Sequence, residues 1–448
     1  MTAGRQASSD SGSGDIGFLQ AVSIAVGTMI GASIFSVFGV GARIARQNLP
    51  EAFVLSGVLA LIVAYSYAKL GPRIISNAGP IAFILKGIGD TLITGALSVL
   101  MWLTYVVSIA MFARGFAGYL LPLAGLPSTS VSEAVVIVAV VGVFTALTFF
   151  GSAAVGTAEF WIVLAKLAIL GVFIAFGLAR IELAGVTPDV SPSALGGLVH
   201  GGVLFFLSYM GFGLITNVGE SIRDAERTIP RAIYTSIAIA MFVYVSVALV
   251  AVGNLSISRL SEVGENALAV AAEPFLGHFG YILISIGALF SLSSALNATL
   301  YGGANVAYSL AKDGELPEFF EHKVWFKSVE GLYITAALSI AFALLFDMGG
   351  IASITSSVFT IIYLFVLVSH YRLADEVGGS RILIVVNTAV LLAVFGALLY
   401  FQYTDNPAIL FGTVGVLGGA LVVEAAFRYG RSRLLNADAI SGPDASSG

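Results

Sequence analysis

Stretches of about 18 or more apolar residues, parted by short charged or Pro/Gly-rich breaks, follow one another along nearly the whole chain. Each can cross a ~30 Å hydrocarbon layer as a helix, and backbone inside that layer must satisfy its own hydrogen bonds. The pattern therefore predicts an all-α integral membrane protein with twelve transmembrane helices. They lie near 16–46, 51–70, 91–121, 133–150, 158–179, 197–219, 231–253, 279–310, 332–347, 351–371, 381–402 and 408–427. Composition agrees: 58% of the 448 residues are hydrophobic and 10% charged, against roughly 25% charged in a soluble protein.

Several function classes drop out. There is no cysteine, hence no disulfide, thiolate metal site or cysteine nucleophile, and the four histidines are scattered without metal-binding spacing. The net charge of −5 is mild and no basic stripe marks a nucleic-acid partner. Residues 1–15 are polar and Gly/Ser-rich, unlike a signal peptide, and read as a flexible cytoplasmic tail. Lys and Arg crowd the breaks on one side, at Lys69, Arg73 and Lys86, at Arg223, Arg227 and Arg231, and again beyond. The other side holds only Arg43, Arg46, Arg180 and Arg259. The positive-inside rule then puts both termini in the cytoplasm.

The first span carries a small-residue stretch at mid-depth, Gly27-Thr28-Met29-Ile30-Gly31-Ala32-Ser33-Ile34-Phe35. Two glycines four apart let a helix open into halves, whose freed N–H groups would face an anion and whose freed carbonyls a cation. A zwitterion suits both ends. The other reading is a small-residue face where two helices pack closely. The sixth span repeats the feature in Phe206-Leu207-Ser208-Tyr209-Met210-Gly211-Phe212-Gly213. Paired interruptions at corresponding positions point to an inverted-repeat transporter site.

Lys166 falls near the centre of the fifth span. It cannot fully snorkel over the 10 to 15 Å or so to the interface, and a lysine there costs roughly 2.5–3.5 kcal/mol on insertion scales, so it is expected to face the bundle interior. There it either binds and releases a proton during a cycle or stays a fixed charge pinned by carbonyls and hydroxyls. In the eighth span Ser291, Ser294 and Ala295 share one helical face, either as partners for such a cation or bonded back to their own helix. Arg114 lies close enough to a span end to reach water and reads as structural. No nucleophile, metal cluster or acid–base pair at mid-depth suggests an enzyme, and no sizeable soluble domain suggests a sensor.

The residues that carry these readings resemble a known group. Gly27 to Phe35, the run Phe206 to Gly213 followed by Glu220-Ser221-Ile222-Arg223-Asp224-Ala225-Glu226-Arg227-Thr228-Ile229-Pro230-Arg231, and Ala311-Lys312-Asp313-Gly314-Glu315-Leu316-Pro317 are similar to motifs of the amino acid, polyamine and organocation (APC) superfamily. The segments Asn77 to Phe83 and Tyr301 to Tyr308 resemble its proton-coupled, broad-specificity amino acid transporters. The resemblance implies a LeuT-like five-plus-five inverted repeat with broken helices 1 and 6, plus two C-terminal helices. The boundaries would be a first repeat over 16–190, a second over 191–371, helices 11 and 12 over 372–430 and a tail over 431–448. It implies that Lys166, with Gly27, Ser291 and Ser294, takes the place of a sodium ion, so coupling is to protons and no cofactor or metal is needed. Substrate would contact Met29, Ile30, Gly31, Ala32, Ser33, Phe206, Leu207, Tyr209, Met210 and Gly211. Ser33 replaces a frequent glycine, and Gly213 stands where many members carry glutamate. That loss puts more of the coupling on Lys166 and disfavours a specialist for cationic substrates. The expected protein is a monomeric, multi-pass transporter of small neutral amino acids in the cell membrane, with the lipid bilayer and its substrate as partners. An exchanger or uniporter without proton coupling is the alternative.

Overall fold

The computed structural model describes residues 16–76, 78–147, 155–312 and 330–431. The expected tails, apart from Arg431, lie outside them. The regular elements among these residues are helices, beginning with α1 (Phe18–Ser36), α2 (Phe38–Ala45), α3 (Leu49–Leu70), α4 (Pro80–Ile88) and α5 (Leu92–Leu123). There follow α6 (Ser130–Leu147), α7 (Val155–Leu178), α8 (Pro192–Phe205), a 3₁₀ segment (Phe206–Ser221), α9 (Ala225–Asn254) and α10 (Ile257–Glu262). The chain continues through α11 (Ala267–Lys312), α12 (Glu330–Leu345), α13 (Met348–Arg372), α14 (Ala374–Val377), α15 (Arg381–Asp405) and α16 (Pro407–Arg431). The all-α expectation holds. Among the described residues, eleven helical stretches are long and apolar enough to cross a membrane. The other expected span, α12, has 16 residues and rises only about 24 Å.

Local chemistry sets the ends of these helices. Thr91, Ser191 and Asp347 cap α5, α8 and α13 by accepting the N–H groups of Thr94, Ala194 and Gly350. Glycines at positive φ, Gly79 (58°) and Gly89 (86°), bracket the short α4. In α11 the ladder is broken at Gly277 (φ 63°, ψ −160°), so its membrane part begins close to the expected residue 279.

The two interrupted spans turn out differently from one another. A break was expected within Gly27–Phe35, yet α1 is helical from Phe18 to Ser36, and the irregularity falls at Val37 (φ −103°, ψ 0°). Glycine permits an opening without enforcing one. A carbonyl has two lone pairs, so those of Gly27 and Met29 accept side-chain donors while the helix stays closed. The sixth span changes where expected: α8 ends at Phe205 and the chain runs on in 3₁₀ turns to Ser221, with a kink at Val218 (φ −121°, ψ 21°). Runs beyond three or four residues are uncommon and mark hinges or strain.

The interior is built around α1. It packs against the 3₁₀ segment, α9, α11 and α7, while α3 packs on α8 and α9, and α5 on α11 and α13. Gly211 is what lets spans one and six touch. A Cβ there would lie 2.8 Å from Met29 Cγ and 3.0 Å from its N. Before α1, the Ile16 N–H donates to the Ser221 carbonyl (2.9 Å) and the Arg223 N–H to the Ile16 carbonyl (2.9 Å). These two bonds form an isolated parallel bridge, Ile16 to Ile222, that ties the start of span one to the end of span six.

Candidate substrate and coupling site

A cavity of about 120 Å³ lies between spans one, three, six and ten. A cavity of ~150 Å³ holds benzene, so the space suits a ligand of a few heavy atoms. Its wall takes Thr28, Met29 and Ser33 from α1 and Leu207, Ser208, Met210 and Gly211 from the 3₁₀ segment. Among the described residues no charged side chain lines it, and two polar atoms on its wall, Ser208 Oγ and Asn217 Oδ1, are buried without a protein partner. A buried polar atom left in this way is costly unless a ligand or water satisfies it.

Tyr244 of α9 joins the two central spans. Its hydroxyl donates to the Met29 carbonyl (2.5 Å), lies 3.0 Å from the Ser208 carbonyl, and sits 3.1 Å from Ser33 Oγ. Ser33 Oγ also donates back to the Met29 carbonyl (2.7 Å). One carbonyl of α1 thus holds two hydroxyls beside the cavity. Lys166 of α7 does the same one step along: it is 3% exposed, and Nζ donates to the Gly27 carbonyl at 2.5 Å. Helices α1, α7 and α11 pack pairwise around it, and Ser291 of α11 is fully buried while Ser294 is half-buried. Arg114 donates from Nη1 to the carbonyls of Ala343 (2.8 Å) and Phe346 (3.1 Å), capping the end of α12.

Of the residues expected to meet substrate, Met29, Ser33, Leu207, Met210 and Gly211 line the cavity. Ile30, Phe206 and Tyr209 do not: all three are fully buried in packing. The Phe206 ring rests edge-on to Tyr363 at 5.8 Å, and the Tyr209 hydroxyl donates to the Phe53 carbonyl at 2.9 Å. A 3₁₀ helix repeats every three residues, so the face seen by the cavity runs Leu207, Met210, Gly213 and skips Phe206 and Tyr209. The backbone of Gly31 and Ala32 is within α1 and their side chains lie outside the described residues.

The sequence reading missed one whole wall. Met101, Thr104, Tyr105 and Ser108 of α5 line the cavity, as do Thr355, Phe359 and Tyr363 of α13. On α5 these fall at i, i+3, i+4 and i+7, a polar stripe on an apolar span that periodicity alone could have found. Aromatic contacts close the cavity's surroundings. On one side Phe53 stacks on Phe205 (3.9 Å) and Phe38 (6.4 Å), and on the other Tyr67 meets Phe83, Phe212 and Tyr363 edge-on.

A bundle of membrane-crossing helices around a small cavity between spans one and six is the architecture of a solute transporter. The amino acid permease family profile matches residues 16–417, and the chain belongs to that family. Among relatives, a Methanocaldococcus jannaschii protein named only as uncharacterized protein MJ0609 is 62% identical over 409 residues, covering 91% of this chain and 94% of its own. The inner membrane transport protein YbaT of Escherichia coli is 33% identical, over 92% and 96% of the two chains. The methylthioribose transporter of Bacillus subtilis is 24% identical, over 85% and 86%.

Proposed function

We propose that this transporter imports small neutral L-amino acids by sodium-independent symport with protons, alternating the site between the two faces of the cell membrane with both termini cytoplasmic. The observation that carries the reading is Lys166. Its ammonium is buried in the bundle and bonded to the Gly27 carbonyl of α1, the place where the family resemblance expects a cation. Its loss of a proton weakens the hold of α7 on α1 beside the cavity, which links protonation to the shape of the site.

Substrate recognition follows from the same carbonyls. With Lys166 on Gly27 and Tyr244 on Met29, parting α1 over Gly27–Ser33 costs fewer unmet hydrogen bonds than elsewhere in the helix. The freed N–H groups of Gly31, Ala32 and Ser33 would take the substrate carboxylate, and the carbonyls its ammonium. Met210, Phe359 and Tyr363 on the wall would meet the side chain. A cavity of about 120 Å³ without a charged residue favours glycine- to valine-sized neutral side chains.

The test is uptake in proteoliposomes. Labelled alanine should accumulate under an inward proton gradient without sodium, and a panel of unlabelled amino acids should compete in order of size and neutrality. Lys166→Ala should abolish gradient-driven accumulation. Full pH-driven uptake by that variant would remove Lys166 from the mechanism, a strict sodium requirement would replace the proton, and uptake only against internal substrate would make the protein an exchanger.

A further inference from the structure

Lys166 is sealed in the bundle, so a symporter built on it needs a way for protons to arrive. The loop between α10 and α11 enters the bundle end opposite Ile16, where two glycines admit it. A Cβ on Gly39 of α2 would stand 2.2 Å from the Gly264 carbonyl oxygen, and one on Gly118 of α5 would stand 2.5 Å from Glu265 Cβ. Glu265 is therefore held between spans one and three. The charged groups around it are Arg114 of α5, Glu133 of α6 and Arg43 of α2, and Tyr119 and Tyr281 lie in the same cluster. Burial raises its carboxyl above the ordinary 4.5, against the opposing pull of the two arginines.

Inward of Glu265, hydroxyls follow on the faces where α1, α5 and α11 meet. Tyr119 Oη, Ser285 Oγ and Ser36 Oγ are all buried and none has a partner among the described residues. Tyr119 and Ser36 are linked by the contacts below, and Ser285 stands one turn along α11 from Tyr281, which lies beside Tyr119. Tyr119 stands one turn from Gly115, and a Cβ at Gly115 would touch Ser36 Oγ at 2.9 Å and Leu292 at 3.4 Å. Leu292 adjoins Ser291, on the helix packed against α7. The Phe35 ring lies edge-on to Tyr119 at 6.3 Å. Three fully buried hydroxyls with unused bonding capacity on one seam are more than packing requires, since a phenylalanine or alanine would fill each place at lower cost.

We propose that Glu265 is the outer proton acceptor of the transporter and that the Tyr119, Ser285 and Ser36 hydroxyls relay protons from it toward Lys166. This rests on the proton-coupling reading above. The Glu265 carboxylate takes a proton from the outer solution. Each hydroxyl receives one proton and passes on its own; Ser36 stands nine residues, about 13 Å, along α1 from Gly27, so water carries the proton over that last stretch to the neutral amine of Lys166.

The experiment uses full-length wild type, Lys166→Ala, Glu265→Gln, Glu265→Asp and Tyr119→Phe in proteoliposomes. Alanine-driven proton influx is read with an internal pH dye over a range of outer pH, beside alanine counterflow at equal pH on both sides. Glu265→Gln should lower influx about tenfold or more and flatten its outer-pH profile, with counterflow at the wild-type rate. Glu265→Asp should restore influx with a displaced profile, and Tyr119→Phe, which removes only an unpartnered hydroxyl, should slow influx alone. If Lys166→Ala stops influx while Glu265→Gln and Tyr119→Phe keep the wild-type profile, the relay is overturned and coupling stands. If Glu265→Gln loses counterflow as well and Tyr119→Phe is normal in both assays, Glu265 is a structural anchor and the relay is again overturned. A wild type that moves no proton with alanine overturns the relay and the coupling reading together.

Discussion

Glu265 shows how one side chain's surroundings set a measurable property of the whole fold. Burial favours its neutral form in the folded protein, so its value there stands above the ordinary 4.5. It contributes stability at pH below that ordinary value, and the contribution is lost as pH rises through the raised one. Thermal unfolding in detergent should therefore show wild type losing ground to Glu265→Gln as pH is raised across the weakly acidic range. Equal pH dependence of the two proteins would contradict this. At the same scale, Lys166 was legible from sequence because a charge at mid-span has few places to go. Tyr244 was not, since a tyrosine in an apolar helix gives no sign of which carbonyls it will reach, and those of Met29 and Ser208 belong to segments 215 and 36 residues away.

Helices were the easiest level to read, since a span must be apolar for the length of the bilayer, and the observed helices fall close to the expected ones. The state of the backbone inside a span was harder. Gly27 and Gly31 announced flexibility, but whether α1 opens depends on donors brought by α7 and α9, which local sequence does not contain. The sixth span was clearer because its α-helical ladder changes at Phe206. Gly211 marks where that segment meets α1, and Gly211→Ala would put a methyl group 2.8 Å from Met29 Cγ. Such overpacking should lower stability by about 1–3 kcal/mol, read as a lower melting temperature in detergent, and should weaken alanine binding more than substitution at Gly142 of α6, where a Cβ meets nothing within 4 Å. Equal effects at the two glycines would show that the contact between spans one and six carries no special weight.

For the whole molecule, the alternating access proposed above requires that some helices move as a unit against others. The bridge from Ile16 to Ile222 specifies one such unit, because it joins the lead-in to α1 with the end of the 3₁₀ segment. The chain has no cysteine of its own, so a pair introduced at Ile16 and Ile222 can be oxidised without side reactions. If the two ends travel together, the disulfide should leave uptake at the reduced rate. Arrest on oxidation and recovery on reduction would show that they separate during the cycle. That joint also makes residue 16 a lever. A fusion partner attached just ahead of residue 16 pulls on two transmembrane segments at once, whereas one carried on the far end of the chain, after α16, leaves both untouched. Tags and immobilisation for kinetic work on this permease belong at its C-terminus.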